Sequence, residues 1–101
     1  MIWPALATRI PAFESLKMIR GWAGHYDYHT FAHNAVIGRH PEIENFVFCN
    51  GFSGHGCRQG PGAGRGVAEL ITHGGFCSID LTVFGYDRLK SGRKVVELNI
   101  I

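Results

Sequence analysis

No stretch of the 101 residues approaches the roughly eighteen continuous apolar positions that suit a membrane-crossing helix, so no such span is expected. Nor do basic residues gather into a block interleaved with aromatics. The 10 Lys and Arg are mixed with 8 Asp and Glu for a net charge of +2, which gives nucleic-acid binding no support. Cysteine is scarce: Cys49, Cys57 and Cys77 form no C-x-x-C pair, and reduced thiols are the expected state, with neither a disulfide framework nor a zinc ribbon. The opening Met1-Ile2-Trp3-Pro4 has no basic flank and interrupts its own apolar run with Pro4. It reads neither as a secretory signal nor as an Arg- and Ser-rich transit sequence. Internal repeats are also missing.

Glycine is what the chain has in excess. Most of its 14 glycines lie between Gly51 and Gly92, without the serine-rich company of a flexible linker. That clustering points to a backbone-shaped site. Hydrophobic residues make up 46%, enough for a globular segment but, at this length, for a limited core.

Periodicity predicts a helix over Ala5–Ile19 and a half-buried strand over Trp22–Tyr28, with Trp22, Tyr26 and Tyr28 on one face. A short strand is expected at Ala35–Ile37, closed by the Gly38-Arg39-His40-Pro41 turn. The apolar run Phe46–Cys49 reads as a central strand covered on both faces, as in parallel sheets. A glycine loop from Gly51 to about Gly62 follows, then a helix over Ala63–His73 that Gly74-Gly75 ends. Cys77–Leu81 suits a strand or an extended connector, and the tail offers a short helix near Tyr86–Leu89, a Ser91-Gly92 turn and the apolar end Asn99-Ile100-Ile101.

The succession of strand, glycine loop and helix is the informative unit. It sets a glycine-lined turn at the carboxyl end of a strand, where open α/β sheets bind ligands, and feeds a helix N-terminus that favours negative charge. As a dinucleotide-phosphate cradle the loop has Asp80 twenty residues after Gly60 in its favour. Against that reading, no G-x-G-x-x-G follows the strand and no P-loop exists. A glycine-rich turn without a ligand is an equal alternative. His25, His29 and His33 are spaced by four, but on a strand that is about 13 Å per interval, too far for one metal ion.

Gly51-Phe52-Ser53-Gly54-His55-Gly56, followed by Pro61-Gly62-x-Gly64-x-x-Val67-Ala68-Glu69, resembles the C-terminal flavin-binding signature of the D-amino-acid oxidase family of FAD-dependent oxidoreductases. Val36-Ile37-Gly38-Arg39-His40-Pro41 resembles that family's upstream segment. The resemblance implies an α/β fold: a C-terminal fragment of the FAD/NAD(P)-binding, glutathione-reductase-like type with part of the substrate-domain sheet. It implies non-covalent FAD as the cofactor, contacted by Gly51, Phe52, Ser53, Gly54, His55, Gly56 and Arg58. Some members attach flavin through a cysteine aligned with Trp22–Tyr26, and none of the three cysteines lies there. The implied chemistry is C–N oxidation of an amine or amino acid; no catalytic base is assigned. Because the family's N-terminal dinucleotide-binding unit has no counterpart, residues 1–101 are expected to be one incomplete segment, inactive alone. Trp22-Ala23-Gly24-x-Tyr26-Asp27-Tyr28-x-Thr30-Phe31 further resembles a mitochondrial member tied to respiratory complex I assembly. That implies a mitochondrial location and complex I assembly intermediates as partners. A non-catalytic assembly module keeping the flavoprotein fold is the alternative.

Overall fold

The computed structural model describes residues 2–99. In chain order it contains helix α1 (Ile2–Arg9), a 3₁₀ segment (Pro11–Ser15), strands β1 (Val36–Arg39) and β2 (Val47–Asn50), helix α2 (Gly56–His73), a 3₁₀ turn (Thr82–Phe84) and helix α3 (Asp87–Lys90).

The expected Ala5–Ile19 helix divides. Pro11 cannot donate an N–H to the preceding turn, and its ring disfavours a helical Ile10, so α1 stops at Arg9 and a 3₁₀ turn follows. No residue of either piece is buried. Ile19 is 97% exposed and Trp22 90%, so this arm stands off the body of the chain. Its effect shows in the radius of gyration, 18.1 Å with extents of 55 × 28 × 22 Å. A compact chain of this length would measure about 13 Å.

Trp22–Tyr28 is not a strand. It runs as irregular backbone that bonds the glycine loop mainly through side chains, with one backbone bond from Ser53 to Asp27, and a sheet ladder does not form. Phe46–Cys49 differs too: β2 pairs antiparallel with β1, in the register Val36 to Asn50 and Arg39 to Val47, in a two-stranded sheet. A continuous apolar run cannot distinguish a parallel neighbour from an antiparallel one. Among the described residues the other edge of β2 has no partner strand.

Helix α2 begins seven residues earlier than Ala63, despite Gly60, Pro61, Gly62 and Gly64. Packing overrides propensity here. A Cβ on Gly66 would sit 2.5 Å from Leu81 Cδ1 and 3.4 Å from Phe76 Cε1, so the small residue lets the returning chain lie close. Ala35, Ile37 and Ala63 form the core, with Phe52, Val67, Phe76, Leu81 and Phe84 packed around them. A cleft of about 280 Å³ enters this core between α2 and the 79–84 segment, with Arg58 and Gln59 among its lining. Gly74, at φ 79°, closes α2 as expected.

The connector Cys77–Leu81 has no strand and is tied to α2 by Glu69. The Ser78 hydroxyl and the N–H groups of Ser78 and Cys77 bond its carboxylate, holding its pKa down to about 2. Helix α3 falls where the tail pattern put it, and Ser91-Gly92 turns as expected. Of the apolar end, Ile100 and Ile101 lie outside the described residues.

Arg88 of α3 is 2% exposed and donates through Nη2 to the carbonyls of Asn34 (2.9 Å) and Ala35 (2.7 Å). It thereby anchors the entrance to β1. Burial, seconded by the charge of Arg93, lowers its pKa from the ordinary arginine value. No helix among the described residues is long and apolar enough to cross a membrane.

Candidate functional site

The loop joining β2 to α2 is held from one side. One carboxylate oxygen of Asp27 accepts the N–H groups of Gly51 (2.7 Å) and Phe52 (3.2 Å), and the Asp27 carbonyl accepts that of Ser53 (2.8 Å). Tyr26 donates its hydroxyl to the Ser53 carbonyl at 2.7 Å, and the His29 N–H reaches Ser53 Oγ at 3.0 Å. Residues 26–29 are therefore a strap across the loop.

The strap forces the loop to turn sharply. Gly51 has φ 76° and Gly54 φ 88°, and a Cβ on Gly51 would stand 2.9 Å from His29 Cδ2. Ser53 also adopts a positive φ, 49°, which costs a residue with a side chain about 1–2 kcal/mol. It is held there because it is fully buried with its backbone and hydroxyl both bonded to the strap.

Alternate loop residues face opposite ways. Gly51, Ser53 and His55 are buried, whereas Gly54, Cys57 and Arg58 are exposed and Phe52 and Gly56 lie between. His55, 2% exposed, receives an Arg58 guanidinium N–H on Nδ1. That contact places the imidazole proton on Nε2, which is enclosed without an acceptor. The His55 side chain thus points into the chain.

Some donors of the loop remain free. His55 is the N-cap of α2 without a side-chain cap, and among the described residues the N–H groups of Gly54, Gly56 and Cys57 have no acceptor in the chain. They sit at the positive end of an 18-residue helix. Donors of this kind fit an anionic or carbonyl-bearing ligand edge.

The remaining sequence candidates do not converge. His33, at φ 54°, bonds Tyr28 Oη at 2.7 Å; His29 lies against Gly51 and accepts the Ala32 N–H on Nδ1; His25 is exposed. Burial is the main cause that lowers the pKa of His29, with Arg88 adding to it. Among the described residues no three His, Cys, Asp or Glu could hold a metal ion. Asp80 caps the turn at Thr82 through its N–H and hydroxyl. Asp27, which the sequence reading left on a strand face, is the residue missed. No sequence signal pointed to it, because the N–H groups its carboxylate accepts lie 24 and 25 residues away.

The sequence pattern of the family described as "FAD dependent oxidoreductase" (DAO) matches residues 1–70. The chain belongs to that family. FAD is the DAO family's cofactor, and the uncapped donors at the start of α2 suit it. The DAO-family chain is 50% identical over 100 residues to FAD-dependent oxidoreductase domain-containing protein 1 of Xenopus laevis, covering 99% of this chain and 20% of that protein. It is 33% identical to the sarcosine oxidase subunit beta of Rhodobacter capsulatus, covering 92% of this chain and 22% of the relative. The crystal structure of L-proline dehydrogenase from P. horikoshii is similar at a TM-score of 0.69 and 35% identity, over 88% of this chain and 23% of that one. The architecture is that of a segment of an α/β FAD-binding fold. The chain spans about a fifth of the length of the curated relatives it matches.

Proposed function

We propose that this chain supplies the ring-facing part of an FAD site in a flavoprotein several times its length, which oxidises a C–N bond of an amine or amino acid. One observation carries the reading: a strapped glycine turn that presents the N–H groups of Gly54, Gly56 and Cys57 at the start of α2. FAD, when bound, supplies the hydride acceptor, and its reduced ring carries negative charge. The three N–H groups and the dipole of α2 stabilise that charge without rearranging, because the strap already fixes them. Gly54, Gly56 and Arg58 meet the cofactor from the exposed side, while Gly51, Phe52, Ser53 and His55 shape the turn. Arg58, exposed beside the loop, binds either the flavin or a substrate carboxylate. The names of relatives and structural neighbours, with sarcosine, glycine and L-proline, support an amino-acid substrate.

The test uses the full-length protein loaded with FAD, mixed without oxygen with sarcosine, glycine, proline and other N-methyl amino acids. Bleaching of the flavin by one of them is expected. The 101-residue chain alone is expected to leave gel filtration colourless, and a yellow chain would refute the partial-site reading.

A mitochondrial location and a role in complex I assembly are part of the proposal, supported by the resemblance of Trp22–Phe31 to a member with that role. Loss of assembled complex I on native gels after depletion is the expected result. Full-length protein that no amine bleaches, yet still co-purifies with complex I subunits, would favour the non-catalytic assembly module.

A further inference from the structure

We infer that Asp27 is a positioning residue of the flavin loop whose charge also sets the potential of the bound flavin. The inference rests on the flavin reading above.

Three consecutive loop N–H groups, those of Gly51, Phe52 and Ser53, end on this one residue, two of them on a single carboxylate oxygen. Without it, two backbone donors in a turn with left-handed residues would lose their acceptor, and the turn would lose what holds it. Asp27 therefore divides the loop's donors. Those of residues 51–53 are consumed inside the chain, and those of Gly54, Gly56 and Cys57 are left for the cofactor.

The same geometry has an electrostatic effect. Among the described residues Asp27 has no salt-bridge partner, so no paired cation cancels its negative charge. Gly54 is two residues beyond Phe52, whose N–H the carboxylate accepts at 3.2 Å, which puts the carboxylate within about 11 Å of the first outward donor. Reduction adds negative charge to the flavin on that outward side, and a fixed anion behind the loop opposes it. Removing the charge should raise the reduced-to-oxidised ratio at a given potential by about three- to tenfold, ~15–30 mV for a two-electron couple.

Two substitutions in the full-length flavoprotein separate these roles. Asp27→Asn keeps an acceptor oxygen and loses the charge, so FAD should stay bound and its midpoint potential should rise. A potential equal to that of the parent would overturn the electrostatic role. Asp27→Ala loses the acceptor, so FAD should dissociate at least tenfold more readily. Amide exchange in flavin-free protein provides a readout that needs no cofactor. Gly51 and Phe52 should be protected in the parent and exchange freely in Asp27→Ala, and unchanged protection would overturn the positioning role. A full-length protein that takes up no FAD would refute the flavin reading instead, with amide exchange still deciding whether Asp27 positions the loop.

Discussion

Replacing Gly54 by alanine should weaken FAD binding by one to two orders of magnitude. The residue sits at φ 88°, where a side chain costs about 1–2 kcal/mol. Its new Cβ would also stand 2.9 Å from both Cε2 and Cζ of Tyr26, inside van der Waals contact. The ring must swing away, and its hydroxyl then leaves the Ser53 carbonyl it holds at 2.7 Å, a loss of about 1 kcal/mol. Together the perturbation opposes the bound loop by about 2–3 kcal/mol, which is a factor of roughly 30 to 150 in affinity. The assay is titration of flavin-free full-length protein with FAD, followed by quenching of flavin fluorescence. Gly64→Ala is the matched control, because a Cβ there meets nothing within 4 Å. If Gly54→Ala binds FAD within threefold of the parent, the strapped geometry is not what shapes the site.

The same glycine-to-alanine change should act oppositely inside α2: Gly64→Ala should raise thermal stability by up to about 1 kcal/mol, read from the melting curve. Tyr26→Phe should cost about 1 kcal/mol and speed exchange in residues 52–54, seen by hydrogen-exchange mass spectrometry. Glu69, held down to about 2 from an unfolded value near 4.5, contributes stability that is present above that unfolded value. It is lost as pH falls through the folded one, so Ser78 and Cys77 amides should lose protection between those limits, and Glu69→Gln should abolish the dependence. His29, lowered by burial, should titrate below 6.5 in an NMR series, and a midpoint at or above that value would contradict its packing against Gly51.

The sequence made the loop legible because glycine is chosen for backbone reasons that hold wherever the chain is placed. The Gly51–Gly56 run and the αL cap at Gly74 stand where local chemistry puts them, and a strand forms from Val36, but Gly38 and Arg39 continue it, paired with Phe48 and Val47, where a turn was expected. Three features were not legible. The apolar run of β2 carries no mark of its partner's direction. Helix α2 starts at Gly56 and runs through Gly60, Pro61, Gly62 and Gly64, residues whose propensities argue against a helix there. The Trp22–Tyr28 segment alternates like a strand, but its bonds go through the Asp27 carboxylate and the Tyr26 hydroxyl, which period-2 patterning does not register.

The edge of β2 that is unpaired among the described residues bears on how the chain fares in a cell. An open strand edge and an arm of exposed apolar residues are what holdase chaperones and proteases engage. Made without a covering surface, the polypeptide would have a lifetime set by quality control more than by its own folding free energy. Its abundance would then report the supply of whatever covers β2: raising that supply should lengthen the half-life in a pulse-chase experiment, with no change in synthesis.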